Sequence, residues 1–169
     1  MASTLPPRPR FVGERRMIAV VASLYNADYV NPLVDAVHRE LGRVATGANL
    51  QIYRVPGACE IPVTAEYLAQ NAHPDVIVAL GLIIRGETAH ADLIARSVFD
   101  ELQRIATRHV IPTINEVLLV ENHEQARERC LGVEKNRGTE AARAAAQMCD
   151  LFHTLRTNQP YAKGPKPHA

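Results

Sequence analysis

Apolar residues along the chain fall into two alternating kinds of segment. Short, continuous apolar runs are typical of strands buried on both faces of a sheet, and they occupy residues 17–23 and 76–84; residues 50–55 and 110–120 are two further predicted strands. Between and after them, apolar residues recur every three or four positions, which predicts helices over 31–44, 61–70, 89–107, 122–130 and 138–157. The order βαβαβαβαα predicts an α/β fold, with an open four-stranded parallel sheet covered by helices on both faces.

Side chains near the helix ends refine these bounds. Asn31 and Pro32 have the pattern of a cap followed by a first helical position, so we expect the first helix to begin there. Asn122 is expected to cap the short fourth helix. The last helix is expected to bury one stripe, formed by Ala141, Ala145, Met148, Phe152 and Leu155.

The two ends of the chain differ from its centre. Residues 1–16 contain Pro6, Pro7 and Pro9, and we expect a flexible, irregular N-terminal arm there. Residues 158–169 are polar, basic and proline-rich, which predicts a flexible tail. One domain over 17–157 remains, in agreement with a total length of 169 residues.

Composition narrows the class of protein. With 47% hydrophobic residues and a net charge of +1, the chain can bury a core but does not attract nucleic acid or an anionic membrane. No apolar run approaches the roughly 20 residues needed to cross a bilayer, and residues 1–16 lack the apolar centre of a secretory signal. The odd, widely spaced Cys59, Cys130 and Cys149 predict buried thiols in a reducing cytoplasm, with no disulfide or metal site.

Ligands of an open parallel sheet bind beyond the carboxyl ends of its strands, which here selects residues 24–29, 56–60, 85–90 and 115–122. In the third segment, Gly86 allows a tight turn, and the amides of Glu87 and Thr88 would form an anion site at a helix N-terminus. His90, in the first turn, could transfer a proton near neutral pH. The alternative is an ordinary turn in which Thr88 only caps the helix and His90 is one of seven histidines without a chemical role.

Three residues of the other segments and the following helix have similar alternatives. Glu60 could accept hydrogen bonds from a ligand or merely complement a helix dipole, and Tyr25 could stack on a planar ligand or pack. Arg129 suits phosphate, but the alternating charges around it are also typical of a solvated helix face. Together these residues predict an enzyme acting on a small phosphorylated substrate, with no metal or dinucleotide fingerprint.

Five motifs make residues 17–157 resemble the 6,7-dimethyl-8-ribityllumazine synthase family. They are Tyr25-Asn26, VPGACEIP (55–62), GLIIRGETAHAD (81–92), ENHEQARER (121–129) and KNRGTEAA (135–142). The resemblance implies a flavodoxin-like, three-layer αβα sandwich and a transferase of riboflavin biosynthesis. Such enzymes condense 5-amino-6-(D-ribitylamino)uracil with 3,4-dihydroxy-2-butanone 4-phosphate, release phosphate and water, and use no cofactor.

The resemblance also implies residue roles by position. His90 matches the proton-transfer residue, Glu87 and Thr88 match the amides that hold phosphate, and Arg129 matches the arginine that pairs with it. The pyrimidine and ribityl group would be bound by Tyr25, Ala58, Cys59, Glu60, Leu82, Ile83, Ile84 and Asn115.

Two positions depart from the family pattern. Asn115 stands where many members have an aromatic residue, and Val133 stands where some have lysine. Loss of a stacking ring and of a positive charge leads us to expect weaker substrate affinity and the same reaction.

Assembly is a further implication of the resemblance. Members form homopentamers whose sites are shared, so that Asn115 and Arg129 would come from the adjoining subunit; decamers, sixty-subunit shells and association with riboflavin synthase are further possibilities. The segment between Arg129 and Gly138 has no insertion relative to shell-forming members, which permits a shell without establishing one.

Two other functions compete with the enzyme. A non-catalytic homologue could keep the pocket but bind flavin or lumazine, or serve only to form a shell; retention of Glu60, His90 and Arg129 favours the enzyme. A flavodoxin-like electron carrier is disfavoured because the first loop lacks a Ser/Thr/Gly-rich phosphate cradle and tryptophan is absent.

Overall fold

The computed structural model describes residues 16–157, in which strands and helices alternate as far as the fourth helix. The strands are β1 (Met17–Ser23), β2 (Asn49–Val55), β3 (Val76–Ile84) and β4 (Thr113–Val120). The helices are α1 (Ala27–Val44), α2 (Glu60–Asn71), α3 (His90–His109), α4 (His123–Cys130) and α5 (Arg137–Thr157). Apart from Arg16, the predicted arm and tail lie outside the described residues. Within the described part, no helix is long and apolar enough to span a membrane.

The four strands form one parallel sheet in the order β2-β1-β3-β4. Successive side chains of a strand face opposite sides of the sheet, so Val20 packs in a core with α1, α4 and α5, whereas Val21 packs in a second core with α2 and α3. The predicted three-layer αβα sandwich is therefore confirmed.

The strand order places a crevice between β1 and β3. The chain leaves β1 towards β2 and returns to β3 on the other side of β1, so the connections that follow β1 and β3 diverge over opposite faces of the sheet. Open α/β sheets bind ligands at such a point.

The predicted start of the first helix was wrong. The helix α1 begins at Ala27, and Pro32 lies inside it although proline cannot donate a backbone hydrogen bond. Asn26 adopts a left-handed conformation (φ 58°) that turns the chain from β1 directly into the helix. Burial of Val30 and Leu33 on the same face offsets the lost hydrogen bond.

One further bound and one buried face differ from the prediction. The strand β4 begins at Thr113 rather than at residue 110, because Val110 is left-handed (φ 54°) and Pro112 has no amide to donate. The helix α5 buries Ala141, Ala145 and Cys149, while Leu155 of the predicted stripe is half exposed. Small side chains let α5 approach α1 closely, so the buried face follows the alanines rather than the largest apolar residues.

Candidate active site

A cavity of about 430 Å³ opens at the carboxyl ends of β1, β2 and β3. Its walls come from the connections that follow these three strands and from the first turns of α3. The lining residues are Tyr25, Asn26, Gly57, Ala58, Cys59, Glu60, Leu82, Ile83, Ile84, Gly86, Thr88, His90, Ala91 and Ile94. A volume of this size accommodates a small-molecule ligand.

The wall formed after β1 and β2 is tightly packed around Gly57. The Gly57 amide donates to Glu60 Oε2 at 2.8 Å, and the Tyr25 amide donates to the Pro56 carbonyl at 3.0 Å. A Cβ at position 57 would lie 2.9 Å from Tyr25 Cδ2 and 3.0 Å from Glu60 Oε2. A side chain at position 57 would have to displace the Tyr25 ring and the Glu60 carboxylate, so glycine lets both groups lie close together beside the cavity. The second oxygen of Glu60 has no hydrogen-bond donor among residues 16–157.

Asn26 joins the first wall to the third strand. Its side-chain Nδ2 donates to the Leu82 carbonyl at 2.8 Å, which holds the connection after β1 against the end of β3. Sequence reasoning identified the Tyr25-Asn26 pair but assigned no role to Asn26. Asn26 has a left-handed backbone. Asparagine adopts this conformation more readily than most residues, so the residue type itself was the signal in the sequence.

The turn between β3 and α3 presents unpaired amides. Ala89 is the N-cap of α3 and no side chain of the described residues caps the helix, so the alternative in which Thr88 is only a cap is wrong. Among residues 16–157, the amides of Glu87 and Thr88 have no hydrogen-bond acceptor. They lie at the positive end of a 20-residue helix, whose first residue is His90. This arrangement favours an anion beside an imidazole.

Three predicted site residues do not line this cavity. Glu87 is exposed beside it and does not line it. Asn115 is in β4 opposite Ala79, and its Oδ1 accepts from the Val117 amide at 3.0 Å, so residues 115–120 belong to the strand and selecting them as a segment beyond its end was wrong. Arg129 is on α4 and makes no hydrogen bond or ion pair within the described chain. Consequently, no lysine or arginine of residues 16–157 lines the cavity.

Sequence reasoning missed two charged clusters near the predicted site. Arg85 forms ion pairs with Asp92 and Glu121. Glu116, adjacent to Asn115, is only 5% exposed and accepts from Arg137 Nε at 3.0 Å. Burial raises the pKa of Glu116 to about 7, although the charge of Arg137 opposes the shift.

The cysteines divide into two groups. Cys130 and Cys149 are buried as predicted, and burial raises their pKa values to about 11 and about 12, so both thiols are chemically inert. Cys59 is exposed on the cavity wall, so the prediction of burial was wrong for this residue.

Comparison with known proteins bears on what this cavity does. The family model described as 6,7-dimethyl-8-ribityllumazine synthase matches residues 15–153. A protein of that name from Paraburkholderia phymatum is 39% identical over 88% of this chain and 84% of its own length. Relatives of the same name from Burkholderia cenocepacia and Burkholderia multivorans are each 37% identical over 88% of this chain and cover 85% and 84% of their own lengths. The chain belongs to the 6,7-dimethyl-8-ribityllumazine synthase family.

Proposed function

We propose that this cavity condenses 5-amino-6-(D-ribitylamino)uracil with 3,4-dihydroxy-2-butanone 4-phosphate. As a member of its family the chain is a transferase of riboflavin biosynthesis, and the relatives' names support the enzyme rather than a non-catalytic binder. One observation carries the assignment of the site. Glu60 and Tyr25 lie on one wall of the cavity, and His90 and the unpaired amides at the start of α3 lie on the other wall.

The pyrimidine is assigned to the wall after β1 and β2. Tyr25 is 69% exposed and held beside Gly57, so its ring is available to stack on a planar heterocycle. One Glu60 oxygen is fixed by the Gly57 amide and the other remains to accept from ligand N–H groups. Ala58, Cys59 and the end of β3 (Leu82, Ile83 and Ile84) complete this side of the cavity.

The phosphate is assigned to the turn between β3 and α3. The amides of Glu87 and Thr88 and the dipole of α3 would stabilise the departing phosphate, which carries the developing negative charge. His90, at the start of the same helix, would move the protons needed for imine formation and for loss of water during ring closure.

The lack of a lysine or arginine side chain among the described residues that line the cavity is the reason to propose a site shared between subunits. The phosphate cradle of one chain has no lysine or arginine in its lining, whereas Arg129 has no partner of its own among residues 16–157. We therefore assign Arg129, together with Asn115, to the site of the adjoining subunit in a homopentamer. Larger shells and association with riboflavin synthase are proposed on the family resemblance alone, and a cytoplasmic location agrees with the free thiols.

The experiment is to mix purified protein with both substrates and to follow lumazine fluorescence, with the particle mass measured in the same buffer. Turnover above the spontaneous rate and a pentamer or a multiple of it are expected. No acceleration would contradict the proposed function.

Two variants test the residue assignments. His90→Ala should slow turnover by less than the ~10²–10⁴-fold typical of an acid–base residue, because part of the reaction proceeds unaided. Arg129→Ala should lower kcat/KM for the phosphorylated substrate by about 10²-fold or more, as expected for loss of a charge-stabilising donor. Arg127→Ala, an exposed arginine on the same helix, is the matched control and should change neither value. Equal, negligible effects of the first two changes would contradict the assignments.

A further inference from the structure

Arg85 connects the two helices that carry the proposed chemistry. Its amide donates to the Val120 carbonyl at 2.8 Å, so the residue is anchored between the ends of β3 and β4. From there its two terminal nitrogens diverge, Nη2 binding Asp92 in the first turn of α3 and Nη1 binding Glu121 just before α4. Both bonds raise the pKa of Arg85.

The bond to Asp92 bears on His90. Residues 86–89 link β3 to α3, and within the described chain their amides make no backbone hydrogen bond outside the helix itself. The position of this turn therefore depends on its two ends, Arg85 and the first turn of α3. Asp92 lies two residues after His90, so its bond to Arg85 joins these ends directly.

The bond to Glu121 bears on Arg129. The Glu121 amide donates to Gln125 Oε1, and Asn122 Oδ1 caps α4 by accepting from the Gln125 amide, both at 3.0 Å. Glu121 is thus fixed to the helix that carries Arg129. Displacement of Glu121 would shift the whole of this short helix.

We propose that Arg85 is a positioning residue. Through Asp92 it positions His90 in the cavity of its own subunit. Through Glu121 it positions α4, whose Arg129 binds phosphate in the cavity of the adjoining subunit. The planar guanidinium holds two carboxylates in fixed directions, which the single ammonium of lysine cannot do. Both carboxylates are about half exposed, so removal of Arg85 leaves no buried charge behind. This inference rests on the proposed function.

The two arms predict a separation of kinetic effects. Asp92→Asn removes only the α3 arm, which positions both His90 and the phosphate-binding amides of the same turn, and should lower kcat and also raise KM for the phosphorylated substrate. Glu121→Gln removes only the α4 arm and should raise KM for the phosphorylated substrate. Arg85→Ala should do both, lowering kcat/KM by about 10²-fold, the loss expected from a misplacement of roughly 1 Å. Arg85→Lys should recover little of it.

The matched control is Arg104→Ala, which removes another exposed arginine–glutamate pair, with Glu101, farther along α3. All variants are compared by steady-state kinetics and by thermal unfolding of the full chain. If the wild type is active and the Arg85, Asp92 and Glu121 variants have the same kinetic constants as Arg104→Ala, the inference is overturned and the proposed function stands. Inactive wild type would overturn the proposed function and this inference with it. If Arg85→Ala failed to fold, Asp92→Asn and Glu121→Gln would still test the inference.

Discussion

At the scale of single residues, Gly57 sets the shape of the cavity wall to which we assign the pyrimidine. The Tyr25 ring and the Glu60 carboxylate both approach within about 3 Å of where a side chain would begin. Gly57→Ala should push both groups aside and raise KM for the pyrimidine substrate. Because Tyr25 is mostly exposed and can move, we expect thermal stability to change little. Steady-state kinetics together with thermal unfolding test this; a large loss of stability with an unchanged KM would contradict it.

Glu116 predicts a pH dependence of stability. Its pKa is raised to about 7 by burial in the native state, against 4.5 as its ordinary value. A raised carboxyl pKa stabilises the fold when the group is protonated, so its contribution is complete below pH 4.5 and is lost as pH rises through 7. The difference is on the order of 3 kcal/mol at 1.36 kcal/mol for each pKa unit.

Glu116→Gln should remove this dependence while keeping the side chain's shape. Relative to wild type, the variant should become more stable as pH rises from about 5 to about 8, a range bracketing the raised pKa. Urea unfolding at both pH values measures the difference, with Glu101→Gln on the surface as control. Parallel pH profiles of Glu116→Gln and wild type would show that Glu116 does not titrate as described.

At the scale of elements, the hydrophobic pattern located every strand and helix but not every end. The bounds of β1 and β3 were predicted correctly because both strands are buried on both faces, so they are apolar throughout except at Ser23. The starts of α1 and β4 were missed because they depend on left-handed residues, Asn26 and Val110, whose backbone conformation no apolar periodicity records. The same limit hid the contact between Asn26 and β3.

The packing of α5 on α1 gives a prediction about two glycines. A Cβ at Gly138 would lie 2.4 Å from the Leu33 carbonyl oxygen, so Gly138→Ala must separate the helices and should destabilise the protein by about 1–3 kcal/mol. Gly42, near the end of α1, has no atom from outside its own stretch of helix within 4 Å of its Cβ position among residues 16–157. Gly42→Ala should therefore stabilise by about 0.5–1 kcal/mol through helix propensity. Chemical denaturation of both variants tests the opposite signs; equal effects would contradict the packing described.

At the scale of the whole molecule, we propose that the site is shared between two subunits. The strand-end rule predicted the three connections that line the cavity, because parallel strands bring their carboxyl ends to one edge. No rule of this kind places Arg129, because its helix carries it away from the cavity of its own chain. The exposed apolar side chains of Val63, Tyr67, Leu93 and Phe99 are available for contact between subunits.

The most direct test of the account is complementation between subunits. One chain would carry Arg129→Ala, and the other would carry Glu60→Ala with His90→Ala, so that each homogeneous assembly lacks one half of the site. Co-expressed mixed assemblies should regain about a quarter of wild-type lumazine formation, the share of contacts that pair an intact cavity with an intact arginine. Activity of the mixture no higher than that of the two variants assayed separately would contradict a site built from His90 of one subunit and Arg129 of the next.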